Sequence, residues 1–157
     1  MSGQIDRARL RFTLTRTLTE GLSAGIEVNP LAEKVSPLAN WRMVSETATR
    51  PAIMLGTSSD RIGTPSGQSY YVTISKDLSR WVRAPLAPYA GVAYGTYEDR
   101  ARVIGGLNVF LPAGVSSLVI FDGVKVHPTV SWSRDRHTFS FLLAQGKNPG
   151  ISYSAAF

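Results

Sequence analysis

Apolar and polar side chains alternate with period two along most of the chain. Ala8, Leu10, Phe12 and Leu14 interleave with Arg9, Arg11, Thr13 and Thr15. After Thr19-Glu20-Gly21, Leu22, Ala24, Ile26 and Val28 interleave with Ser23, Gly25 and Glu27. Successive side chains of a strand point to opposite faces, so each segment predicts one apolar and one polar face. The pattern returns near Leu38–Thr47, Arg50–Ser58, Tyr70–Ser75, Pro88–Gly95, Val103–Leu111, Val126–Ser133 and Thr138–Leu143. Val115–Phe121 is more uniformly apolar. Pro112-Ala113-Gly114, Asp122-Gly123, Arg134-Asp135-Arg136 and Gly146-Lys147-Asn148-Pro149 read as turns, and Ser58–Gly67 as the longest polar loop. The spacing predicts about eleven strands of roughly 8 to 11 residues. No amphipathic helix, exact repeat or linker interrupts them, which makes residues 1–157 a single all-β domain.

Two architectures bury such faces. A soluble sandwich or barrel turns its apolar face inward. A transmembrane barrel turns it outward to lipid and lines its interior with small and polar residues. Three features favour the second. The predicted strands approach the 9 to 11 residues that a tilted membrane crossing needs. The polar faces carry Gly, Ser, Thr and Tyr with scattered Arg and Glu, where a soluble protein's outer face carries more Lys and Glu. Aromatic residues fall near the ends of apolar faces, at Trp41, Trp81, Trp132, Tyr153 and Phe157, as interfacial girdles do. This predicts an up-and-down antiparallel transmembrane β-barrel of about 10–12 strands.

The closing strand Gly150-Ile151-Ser152-Tyr153-Ser154-Ala155-Ala156-Phe157 resembles the last strand of bacterial outer-membrane β-barrel proteins, which ends on an aromatic after alternating apolar residues. Ile151, Tyr153, Ala155 and Phe157 match that pattern. The resemblance implies an outer-membrane location, lipid bilayer and lipopolysaccharide as surroundings, and recognition of this strand by the barrel-assembly machinery. The stretch Trp41–Leu78 also loosely resembles barrel segments of YjbH-like, exopolysaccharide-associated outer-membrane proteins, implying an envelope-polymer role. Barrels of the class are even-stranded, so an eleventh strand points either to a miscount or to a missing N-terminal strand. Met1–Asp6 runs into charged residues with no apolar leader, as in a cytosolic chain or in a mature or trimmed one.

Composition narrows the chemistry. The absence of cysteine excludes disulfides, thiol catalysis and Cys-ligated metal sites, and with two histidines no His-rich metal site, and no cofactor, is expected. Lys and Arg outnumber Asp and Glu by 17 to 11, a basic balance that reads first as a surface kept for solubility and otherwise suits an anionic partner such as nucleic acid, lipid headgroups or polysaccharide. Arg80-Trp81-Val82-Arg83 would suit base stacking, and a membrane-interface anchor explains it as well; no nucleic-acid partner is expected. Gly63–Ser69 lacks the Gly-Lys-Ser/Thr of a phosphate loop, and Asp135 and His137 sit in a solvated turn. Lumen-facing positions, as pore lining or as ion pairs filling the interior, are Arg9, Arg11, Glu27, Arg42, Tyr71, Tyr89 and His127. His127 is the one candidate base of a barrel lipid hydrolase, but no catalytic set accompanies it. The expectation is a monomeric, non-enzymatic outer-membrane barrel with a structural, porin-like or envelope-polymer role. The competing expectation is a soluble all-β binding or assembly protein, lipocalin-like or viral.

Overall fold

In a computed structural model that describes residues 9–157, the chain is all-β. Eleven strands follow one another: β1 (Phe12–Thr19), β2 (Leu22–Asn29), β3 (Lys34–Val44), β4 (Ala52–Ser59), β5 (Gln68–Ser75), β6 (Leu86–Gly95), β7 (Arg100–Phe110), β8 (Val115–Phe121), β9 (Val126–Arg134), β10 (His137–Ala144) and β11 (Asn148–Ala155). They form one up-and-down antiparallel sheet in which every strand lies beside its sequence neighbours, with β1 and β11 as the two ends of the order. Ala8 and the chain start lie outside the described residues.

The strand count agrees with the period-two reading, while the boundaries move. β3 begins at Lys34 rather than Leu38 and runs through Pro37. Proline has no N–H to give a ladder, and the pattern therefore reads as broken there. The ladder tolerates it: Pro37 stands opposite Ile26, and its carbonyl accepts a bond from the Gln68 Nε2. Trp81 leaves the strands altogether. It sits in α1 (Ser79–Val82), a single turn within the β5–β6 connection. The Asp77 carboxylate accepts the Ser79 N–H at 2.8 Å, and Arg83 closes the turn at φ 50°. No helix among the described residues is long and apolar enough to cross a membrane.

The residues group into two compact units. One holds residues up to Ile74 with Gly91–Val103; the other holds Ser75–Ala90 with Ile104–Phe157. In each, burial is opposite to that of a soluble sheet. The only buried hydrophobic residues among those described are Leu38 and Ala144, whereas the largest fully buried side chains are Glu27, Asn29 and Thr64. Large apolar residues, among them Phe12, Leu14, Ile26, Val103, Val119, Val130 and Phe141, stand exposed on the strands.

Cross-strand register shows that this is a property of whole faces. In the first unit, Leu14, Ile26 and Pro37 share one row, while Thr13, Glu27 and Ser36 share the adjacent row on the opposite face. In the second unit, Ser117, Val130 and Phe141 share an apolar-side row, and Ser116, Ser131, Ser140 and Ser152 share a polar-side row. The polar face is called inner below, because Glu27 and Ser36 are buried on it and Ser131 and Ser140 are partly covered.

Candidate functional site on the inner face

In the first unit the inner face is built around a buried carboxylate. Glu27 lies near the end of β2 and is 1% exposed. The Ser59 hydroxyl donates to its Oε1 at 2.6 Å, and the Asn29 Nδ2 donates to the same oxygen at 2.8 Å. The Arg11 Nε lies 3.1 Å from Oε2, an ion pair rather than an aligned hydrogen bond. A carboxylate taken out of water is tolerable only with such compensation. Period two explains the gathering: Glu27 and Asn29 are two apart on one strand and face the same side, and β4 ends beside them on Ser59.

The β4–β5 connection folds over the same end. Thr64 is 2% exposed, and its hydroxyl donates to the Arg61 carbonyl at 2.9 Å. The buried Asp60 carboxylate accepts the Arg61 N–H at 2.7 Å and the Tyr97 N–H at 3.1 Å, fastening the loop to the β6–β7 turn. Gly67, at φ 104°, lets the chain turn back into β5; a side chain there would be strained and would press on Asp60 and Tyr97. Glu98 in the β6–β7 turn bridges Arg61 at 2.6 Å and Arg102 at 2.8 Å. Hydrogen bonds from Arg61 and then from Arg102 hold its carboxyl down at about 2.

Farther along the same face, Thr17, Ser23, Asn40 and Gly56 form one cross-strand row. The Tyr71 ring lies over Gly56, and its hydroxyl donates to the Asn40 Oδ1 at 2.6 Å. Arg42 is two residues beyond Asn40, next to a bulge in the β3–β4 ladder, and its Nη2 donates to the Glu20 carbonyl at 2.6 Å. Thr17, Ser23, Asn40, Arg42 and Met54 line a cavity of about 190 Å³ with the β1–β2 turn.

In the second unit the inner face is more neutral. Ser131 and Ser140 hydroxyls bond at 2.8 Å, and Ser133 and Thr138 at 2.9 Å. Tyr89 covers Gly106 as Tyr71 covers Gly56. His127 is buried, with Nε2 at 2.8 Å from the Asp122 Oδ2 and Nδ1 at 3.0 Å from the Gln145 backbone nitrogen. A backbone N–H can only donate, so Nδ1 is the acceptor and the proton sits on Nε2. His127 thus ties the β8–β9 and β10–β11 turns together. Burial pushes the Asp122 carboxyl up, but the His127 bond and the Lys125 and Val124 N–H groups outweigh it, leaving the pKa below the usual value.

Of the predicted lumen positions, Arg11, Glu27, Arg42, Tyr71, Tyr89 and His127 fall on inner-face rows or make the inner contacts just described. Arg9 stands before β1, exposed and outside the strand pattern. Among the predicted interface aromatics, Trp41, Trp132 and Tyr153 are exposed on the apolar face. Phe139 links Trp132, at 6.1 Å between ring centroids, to Tyr153, at 5.0 Å, making an aromatic row across β9, β10 and β11. Trp81 is 63% exposed on α1, with the Lys76 ammonium 5.5 Å from its ring, and Phe157 is exposed beyond β11.

Sequence reasoning passed over Asn29, Ser59, Asp60 and Glu98. The signal for Asn29 was its two-residue offset from Glu27; Ser59 closes β4 where the pattern already read as loop, and Asp60 and Glu98 act through loop geometry that has no period. Among the described residues, no cluster of three His, Asp or Glu side chains is placed as metal ligands would be. Compared with known protein families, curated proteins and solved structures, the chain matches none.

Proposed function

We propose that this chain is a transmembrane β-barrel of the bacterial outer membrane, with its apolar face toward lipid and its Ser/Thr/Tyr, Arg and Glu face toward a lumen. The inversion of burial carries the reading. Glu27, Asn29 and Thr64 are enclosed while the apolar strand faces stand open. In water this sheet would leave those faces as exposed patches far larger than a monomer ordinarily tolerates. In hydrocarbon the same arrangement is favourable, because every strand but the two outermost has both backbone edges paired. Closure of β1 toward β11, directly or through another strand, belongs to the proposal, since an open edge in lipid leaves backbone groups unpaired.

The aromatic row Trp132–Phe139–Tyr153 supports an interfacial girdle at the end where the chain stops, and the exposed Trp81 beside Lys76 supports an anchor among headgroups. In this reading β11 is the strand offered to the barrel-assembly machinery, the molecule works as a monomer, and basic connections meet lipopolysaccharide or phospholipid phosphates. The role is structural, porin-like or envelope-polymer-associated, with the exopolysaccharide-linked form as its narrower version. A hydrolase mechanism is disfavoured by His127: its Nδ1 lone pair is occupied by a backbone N–H and its Nε2–H by Asp122.

The test is refolding from urea into buffer, detergent micelles and lipid vesicles, followed by far-ultraviolet circular dichroism. Strand signal in micelles and vesicles alone is the expected result. A monodisperse folded protein in plain buffer would remove the proposal in favour of the soluble reading. Planar-bilayer conductance of the refolded protein then separates an open pore from a filled interior.

A further inference from the structure

We propose that Arg42 and the donors beside it form a binding site for a small oxyanion, a carboxylate or phosphate group, on the inner face of β1–β4. Three observations meet there. First, the Arg42 guanidinium is positioned: its Nη2 bonds the Glu20 carbonyl, while the Arg42 backbone N–H bonds the Gly21 carbonyl at 2.7 Å, pinning the base of the side chain to the β1–β2 turn. Second, no carboxylate pairs with it among the described residues, in contrast to Arg11, Arg61 and Arg102 on the same unit. Third, the neighbouring row adds donors of the same sense. Thr17 and Ser23 contribute hydroxyls. The Asn40 Oδ1 accepts from Tyr71, which leaves the two N–H bonds of its Nδ2 as the donors of that amide.

The result is a cavity of about 190 Å³ lined by one positioned cation, the hydroxyls of Thr17, Thr19 and Ser23 and an amide donor, with Glu20 as the one acidic residue on its wall. Drug-sized ligands occupy pockets of roughly 300 Å³ or more, so the volume fits one small acidic group or the acidic end of a longer molecule. A guanidinium has five N–H donors in a planar fork that matches the paired oxygens of a carboxylate or phosphate, and the Glu20 bond uses one. The site rests on the lumen reading only in requiring that this face be reached by water.

The experiment uses the full chain folded in detergent micelles, with the arginine Nε–Hε signals observed by nuclear magnetic resonance. Sodium acetate and inorganic phosphate are titrated separately at constant ionic strength against chloride. The expected result is a saturable shift of the Arg42 signal by one or both anions, with a Kd below about 10 mM, while exposed Arg134 moves weakly and without saturation. Which anion saturates identifies the oxyanion. Arg42→Lys is expected to weaken binding several-fold and Arg42→Gln at least tenfold. Parallel unsaturated shifts of all arginines in the wild-type chain would overturn the proposal, as would unchanged binding by a folded Arg42→Gln variant. Neither readout depends on conductance, so a filled barrel would leave the site testable.

Discussion

Placing an arginine at Val130 puts the outward face under direct strain. Val130 is the central residue of β9, 51% exposed, with Ser117 and Phe141 as its cross-strand neighbours. If that face meets hydrocarbon, Val130→Arg places a guanidinium near the bilayer midplane. The cost there is about 2–4 kcal/mol, which lowers the folding equilibrium constant by about 30- to 700-fold at about 1.4 kcal/mol per factor of ten. Val126 begins the same strand and shares its parity, so Val126→Arg falls near an interface and costs about 0–1 kcal/mol. If the face meets water, both substitutions stay within about 0.5 kcal/mol of wild type. The assay is reversible urea unfolding in phosphatidylcholine vesicles, read by tryptophan fluorescence. A large penalty at residue 130 with a small one at residue 126 is expected. Equal penalties, or none at residue 130, would refute the reasoning.

Further outcomes follow from the inner face. Glu27→Ala leaves the Ser59 and Asn29 donors and the Arg11 charge without their acceptor, and is expected to cost about 3–5 kcal/mol in the same unfolding assay. Glu98→Gln loosens the loop held by Arg61 and is expected to cost about 1–2 kcal/mol after allowance for its partly exposed position; trypsin cleavage at Arg61 should accelerate. The Glu98 carboxyl is held at about 2 against an ordinary 4.5, so its contribution is fully present above about pH 4.5 and disappears as pH falls through about 2. The difference in stability between wild type and Glu98→Gln should narrow across that window. Gly25→Val drives a side chain into the Leu14 carbonyl and the Thr15 backbone, and should cost about 3 kcal/mol or prevent folding, as judged by circular dichroism.

The sequence carried the strands well because period two is both the geometry of a strand and the mark of two different environments on its faces. Leu14, Ile26 and Val130 against Thr13, Glu27 and Ser131 sort to opposite sides in the register as they do in the pattern. Its failures have local causes. Trp81 was placed near the end of an apolar face, yet it stands on a helical turn where the Ser79 N–H bonds the Asp77 carboxylate, a local contact that no periodicity reports. The early start of β3 was hidden by Pro37. The site was legible where it depended on parity, as with Glu27, Arg42 and Tyr71. It was illegible where it depended on loops returning to the sheet, as with Asp60 reaching Tyr97 and Glu98 reaching Arg61.

The central claim, that the apolar face meets lipid, is tested most directly by spin labels. The chain has no cysteine, so single-cysteine variants along β9, from residue 126 to residue 133, each carry one nitroxide at a known place. In vesicles, labels at residues 126, 128, 130 and 132 should be open to oxygen and shielded from a water-soluble nickel chelate. Those at residues 127, 129, 131 and 133 should be the reverse or shielded from both. A label at residue 130 that meets the nickel chelate more readily than oxygen would contradict the account.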